Sequence, residues 1–371
     1  MRLYVPYTDE REIEEVARVL ATGYLTQGPK VAEFEDMIAR RIGSRHAFAM
    51  SSCTTALHLA LVALGIGPGD DVLVPDFTFP ATANVVVQQG ARPVLVDVQT
   101  DTCNLRVGDL EDRLTYQTRA IIPVHAFGLS ADMDPLMDFA GRHGLAVIED
   151  AACALGAKYS GRHCGTIGQV GCFSFHPRKS ITTGEGGMII TGDEALAERI
   201  RLLRSHGGVR QEGAAYFQFE AAGFNYRMSD LQAAVGVAQM GKFEWVLERK
   251  RELAHQLTGL LRTVKGVTPP VEPENCLHTF QSYVVMLDDG LDRDRVIAAM
   301  RRREVETTLG TYALHAQPFF QRTYGYASGD LPGSYRVFRQ SLTLPLYPQM
   351  EPQDPERVVE ALESSIHEVS L

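Results

Sequence analysis

In "VAEFEDMIARRI" the apolar residues Val31, Phe34, Ile38 and Ile42 recur at helical spacing. Residues 9–42 are therefore predicted as two helices, broken at "GYLTQGP". The stretch "TTALHLALVALGIG" (54–67) is apolar nearly all round, which predicts a buried helix ending at glycine. Seven short runs show a different pattern: "HAFAMSS", "DVLVPDF", "RPVLVDV", "AIIPVHAF", "LAVIEDA", "VGCFSFH" and "GGMIIT". They are short and apolar, and helical stretches such as "MDPLMDFAGRHG" cross between several of them. Runs of this kind suit a mostly parallel sheet buried on both faces. Residues 1–240 are thus expected to form an α/β layered domain with a seven-stranded sheet between helices.

Near residue 240 the texture changes. A long charged helix, "MGKFEWVLERKRELAHQLTGLL", leads into the Pro-rich connector "VTPPVEPENC". After it come the apolar run "TFQSYVVML", a helix "RDRVIAAMRRREV" and a final helix "DPERVVEALESSIHEV". Residues 241–371 are expected to be a smaller α+β domain. No internal repeat or low-complexity segment is visible.

Composition narrows the classes of function. A chain of 371 residues can bury two cores. The formal charge of −10 argues against a nucleic-acid binder, which needs a basic face. No apolar run approaches the roughly 18 residues that span a bilayer. The start is acidic and amphipathic, without a signal-peptide core, so a cytoplasmic protein with no membrane partner is expected. The six cysteines are scattered, with no Cys-x-x-Cys pair and no zinc spacing. They read as free thiols, and no metal is expected. The glycines of "GIGPGDD" lead from helix into strand, the reverse of a dinucleotide fingerprint.

In open α/β sheets, ligands bind outside the carboxyl ends of the strands. Those ends carry "SSCTTA", "DFTFPAT", "HAFG", "EDAACALGA" and "HPRK". Thr54 and Thr55 lie at a helix start, where free N–H groups and the helix dipole favour an anion such as phosphate. Asp150 ends a strand, and its neighbour Glu149 must point to the opposite face if the strand continues. Phe79 offers a flat aromatic, Ser174 a hydroxyl and Lys179 an amine. Lys179 is the only lysine between Lys158 and Lys242. Each residue alone reads as a cap, a core side chain or a surface group. Together they meet the needs of one ligand, pyridoxal 5′-phosphate (PLP). Its phosphate needs N–H groups and hydroxyls, its ring a stacking face, its pyridine nitrogen a carboxylate, and its aldehyde an amine.

"VIEDAACALGAKYSGRHCGTIGQVGCFSFHPRKSITTGEGGMIIT" resembles the signature block of the DegT/DnrJ/EryC1/StrS aminotransferases, sugar aminotransferases of PLP fold type I. "LTQGPKVAEFE", "TTALHLAL", "GIGPGDDVLVP", "PVLVDV" and "GFNYRMSDLQAAVG" resemble it too, in order along nearly the whole chain. The resemblance implies that Lys179 is the Schiff-base lysine and that Asp150 pairs with the pyridine nitrogen. It further implies that Thr54, Thr55 and Ser174 hold the phosphate and that Phe79 stacks on the ring. Asn225 would reach the phosphate bound by a partner subunit, so a homodimer with shared sites is implied. His125, His176, Arg227, Tyr312 and His315 are candidates for the sugar site by motif neighbourhood. Two departures stand out. Cys53 replaces a frequent glycine, and Cys153 replaces the usual Gln, His or Glu three residues after the Asp, facing the cofactor's phenolic oxygen.

The expected function is transfer of an amino group, with L-glutamate as donor by family analogy, to a keto sugar that is expected to be nucleotide-linked. Some members replace the lysine with histidine and become dehydratases; here the lysine is present. Alternatives are a cyclitol or aminoshikimate-type ketone as acceptor, a lyase or desulfurase of the same fold, or a non-catalytic regulatory protein.

Overall fold

A computed structural model of the chain describes residues 1–210 and 215–370. The two helices expected before residue 42 are α1 (Glu10–Thr22) and α2 (Pro29–Ile42). Asp9 caps α1 in a reciprocal box with Glu12, an arrangement worth about 1 kcal/mol. Pro29 opens α2 where a missing N–H costs nothing. Val31, Phe34, Ile38 and Ile42 of α2 are all buried, as their spacing requires.

The central sheet contains all seven expected runs. In chain order they are β1 (His46–Met50), β2 (Asp71–Pro75), β3 (Arg92–Val96), β4 (Thr118–Ile121), β5 (Ala146–Asp150), β6 (Val170–Ser174) and β7 (Gly187–Thr191). Their spatial order is β1-β7-β6-β5-β4-β2-β3. The pairings from β6 through β5, β4 and β2 to β3 are parallel. Only β7 runs against its neighbours, β6 and β1. Every residue of β2 and of β7 is buried, the mark of a sheet covered on both sides. Helix α3 (Cys53–Leu64) lies beneath it with Leu57, Leu59, Ala60 and Leu61 all buried. Each such Leu contributes about 1.5–3 kcal/mol relative to an exposed one. Gly65, at φ +76°, ends α3 in the left-handed conformation that glycine takes without strain. Helix α4 (Ala81–Gln88) comes after β2, and α5 (Met133–His143) crosses between β4 and β5.

The second core is built on an antiparallel sheet: β8 (Val267–Thr268), β9 (Tyr283–Leu287), β11 (Ser341–Leu344) and β10 (Thr308–Leu309), in that spatial order. The long helix α6 (Phe243–Leu261) belongs to both cores. Phe243 and Leu247 pack with the large domain, while Leu253, Leu257 and Leu261 pack under the small sheet. Met1 also packs on the second core, and Leu3 accepts from the Leu346 N–H at 3.4 Å. The N-terminal segment therefore joins the small domain, which position along the chain does not suggest.

Candidate active site

Because β2, β4, β5 and β6 are parallel, the residues that follow them gather on one edge. Glu149 and Asp150, adjacent on β5, point to opposite faces as the strand alternation demands. Glu149 is fully buried and accepts from the N–H groups of Gly165, Ile167 and Gly168, each at 2.6 Å. Its Oε2 also lies 2.8 Å from His125 Nε2. Asp150 faces the other way. Its Oδ2 accepts from Thr82 Oγ1 on α4 at 2.8 Å, and its Oδ1 from the Ala152 N–H at 3.1 Å. Burial pushes the Asp150 carboxyl above its ordinary pKa. The Thr82 hydroxyl, the Ala152 N–H and the nearby Lys179 charge restrain that rise.

The Lys179 amine lies 3.0 Å from Cys153 Sγ, three residues beyond Asp150. Burial favours its neutral form. The Cys153 sulfur, Cys53 and Asp150 outweigh that, and the net direction is upward.

The start of α3 completes the edge. Ser52 Oγ accepts from the Thr55 N–H at 3.1 Å, and Thr55 Oγ1 accepts from the Ser52 N–H at 3.1 Å. The Thr55 hydroxyl also donates to Ser52 O at 2.8 Å. Both polar groups of Thr55, expected at the phosphate, serve the cap in this structure. Among the described residues nothing takes up the Thr54 hydroxyl or the first two N–H groups of the helix, which leaves them for an incoming anion. A Cβ on Gly187 of β7 would stand 2.4–2.5 Å from the backbone of Ser52 and Cys53. Only glycine lets the helix start come this close to the sheet.

Phe79 is 66% exposed on the loop between β2 and α4, so a ring face is uncovered. Tyr312 pairs with Thr78 in a short antiparallel ladder, which brings it beside the Phe79 segment. Ser174 ends β6, and its Oγ accepts from the His176 N–H at 3.4 Å. His176 is part-buried, its Nδ1 accepts from the Arg178 N–H at 3.2 Å, and burial lowers its pKa. The 225–227 segment lies along the end of β1: Tyr226 O accepts from the Ser51 N–H at 2.8 Å, and Arg227 bridges Met50. Arg227 donates to Ser205 Oγ at 3.2 Å, and Asn225 is exposed.

Two expected sugar contacts are corrected. His125 is fully buried, with Nε2 on Glu149 and Nδ1 accepting from the Ala131 N–H at 3.1 Å. His315 is fully buried, with Nδ1 2.6 Å from Asp76 Oδ2 and Nε2 3.3 Å from Ser328 O. Neither ring has a nitrogen left for a substrate. The sequence reading missed Thr82, whose hydroxyl is the only side-chain partner of Asp150 among the described residues. Its signal was "TFPAT", one helical turn past Phe79.

The arrangement fits PLP on its own terms. Among the described residues a buried carboxylate has no ion pair within 4 Å and a helix start keeps unpaired donors, while a missing Cβ opens the approach and an amine lies on the same edge. Among the described residues no group of three or more His, Cys, Asp and Glu side chains is placed to hold a metal ion, and no helix is long and apolar enough to cross a membrane.

The model of the DegT/DnrJ/EryC1/StrS aminotransferase family matches residues 6–363. GDP-perosamine synthase of Caulobacter vibrioides is 41% identical over 96% of this chain and 96% of its own. Spore coat polysaccharide biosynthesis protein SpsC of Bacillus subtilis is 38% identical over 96% of this chain and 95% of its own. The PLP form of a proposed sugar aminotransferase of Streptococcus pneumoniae superposes with a TM-score of 0.93 at 25% identity, covering 98% of each chain.

Proposed function

Since the chain belongs to the DegT/DnrJ/EryC1/StrS aminotransferase family, we propose that it transfers an amino group from L-glutamate to the ketone of a nucleotide-linked sugar. It is a PLP-dependent aminotransferase. The nucleotide-linked acceptor is supported by the relative named for a GDP-linked product. The observation that carries the site reading is the Lys179 amine on the same sheet edge as buried Asp150.

Bound at this edge, the cofactor supplies an electron-withdrawing ring that delocalises charge left when a proton departs the carbon beside the amino nitrogen. The chain's residues have separate tasks. Asp150 holds a positive charge on the ring nitrogen, and burial makes it hold that charge tightly. Thr82 fixes the carboxylate's orientation. The start of α3, with Thr54 and Ser174, anchors the phosphate, and Phe79 covers one ring face. Lys179 would hold the cofactor covalently and its amine would move the proton, being tethered beside the reacting carbon. Asn225 is exposed, as a residue serving a partner's cofactor must be, and a homodimer with shared sites follows from this role.

The test is the absorbance of the purified protein before and after L-glutamate. A visible cofactor band that moves to the near ultraviolet with glutamate, and returns with one of a panel of nucleotide-linked keto sugars, is expected. A band that glutamate leaves in place sinks the donor assignment. Return with a free cyclitol ketone, and with no nucleotide sugar, sinks the acceptor assignment.

A further inference from the structure

Lys250 is wholly buried on α6, and none of its contacts is a carboxylate among the described residues. Its Nζ donates to Gln281 O at 2.9 Å and stands 5.6 Å from the centre of the Tyr4 ring. Burying a cation with so little repayment is costly, and an apolar side chain would fill the same space more cheaply. The groups on either side show what the cation holds. The Gln281 side chain donates to Arg178 O at 2.7 Å, and the Tyr4 hydroxyl donates to Lys179 O. Two successive carbonyls of the lysine segment are thus tied by two residues, both touching Lys250. One lies just before strand β9 of the small domain, the other in the N-terminal segment.

The backbone beside Gln281 is strained. Phe280 is buried and left-handed at φ +45°, which is rare for an aromatic residue. This twist lets Gln281 turn its carbonyl to Lys250 and its amide to Arg178. Nearby, the Thr279 hydroxyl lies 3.4 Å from Cys153 O, which ties the same segment to the residue beside the Lys179 amine. Burial lowers the Lys250 amine to about 7, the Cys153 sulfur opposing and Lys179 adding to the shift. Tyr4, Gln281, Cys153, Lys179 and His278 are the polar groups around it, and burial keeps the Tyr4 phenol protonated as a donor.

We propose that Tyr4, Lys250 and Gln281 form a clamp, with Lys250 as its pivot, that positions the Lys179 amine and ties its placement to the seating of the small domain. Lys250 is a positioning residue and does not touch the reacting atoms. The proposal rests on the assignment of Lys179 as the cofactor lysine.

The experiment uses the full chain. Borohydride reduction of the PLP-loaded protein followed by peptide mass mapping first asks where the cofactor attaches. A label at any lysine other than Lys179 overturns the site assignment and the clamp together. With the label at Lys179, the cofactor-free protein is treated with cyanate, and carbamylation of Lys179 is followed from pH 6 to 9 alongside the rate of PLP attachment. In Lys250→Met and in Tyr4→Phe, attachment should slow by about tenfold, the scale of one hydrogen bond. Lys179 reactivity toward cyanate should differ from wild type in both variants. The double variant should be little worse than either single one, because the two act through the same carbonyl pair. If Lys250→Met fails to fold, Tyr4→Phe decides, since it removes one hydroxyl and keeps the ring. Wild-type attachment and wild-type Lys179 reactivity in Tyr4→Phe, with Lys179 still labelled, overturn the clamp while leaving the aminotransferase assignment standing.

Discussion

Replacing Thr82 with valine removes one hydroxyl and keeps the shape of the side chain. That hydroxyl donates to Asp150 Oδ2 at 2.8 Å inside a buried pocket. A hydrogen bond to a charged group is worth about 1.5–3 kcal/mol. At 1.36 kcal/mol per pKa unit, its loss should raise the already elevated Asp150 pKa by about one to two units. The sign is fixed by which form is bonded: the hydroxyl stabilises the carboxylate, so without it the acid holds its proton to higher pH. Cofactor binding needs the carboxylate, so the acid limb of PLP affinity should move upward by the same amount. The loss should be largest on the acid side, about tenfold or more once both proteins are in the acid limb, and it should shrink as pH rises. The assay is a PLP titration by absorbance at several pH values, with circular dichroism to confirm the fold. Affinity equal to wild type across the acid limb, in a folded Thr82→Val protein, would refute the role of Thr82 in holding Asp150.

Lys179→Ala should abolish turnover while PLP still binds without a covalent link; appreciable transaminase activity would sink the role of Lys179. Gly187→Ala should cost about 1–3 kcal/mol by forcing α3 from the sheet, and PLP affinity should fall more than stability alone explains; thermal melts with and without cofactor separate the two. Glu149→Gln places an NH2 against N–H groups and should lower stability by about 3 kcal/mol or more, read by thermal unfolding, with KM unchanged in the folded fraction. Burial lowers the His315 pKa, but Asp76 and the Ser328 carbonyl raise it further, so its net direction is upward. The stability it contributes is fully present below the ordinary His pKa and is lost as pH rises through its raised folded value; a melting series across that window should lose this slope in His315→Gln.

The sheet was legible because short, mostly apolar runs recur with helical stretches between several of them, and all seven became strands of one sheet. The opposition of Glu149 and Asp150 followed from strand alternation alone. The two histidines were misjudged for one reason. A histidine at a strand end faces either solvent or a buried carboxylate, and nothing local distinguishes the cases. Glu149 and Asp76, the partners that bury them, are 24 and 239 residues away. Thr55 illustrates a competition invisible in the sequence, between a ligand's phosphate and the helix's own cap. Tyr4, Lys250 and Gln281 were unreadable because their meeting depends on the N-terminus folding onto the second core.

Two acidic residues side by side on one strand also make an address. A strand slipped by one residue exchanges its faces. Such a slip in β5 would carry Glu149 into the cofactor pocket and leave Asp150, one methylene shorter, before the three N–H groups of the 165–168 turn. The four partners around Glu149 therefore act as a lock that accepts one key length. The residue that performs no chemistry guards the placement of the one that does, and a single-residue insertion or deletion within 144–149 should be far less tolerated than most substitutions there.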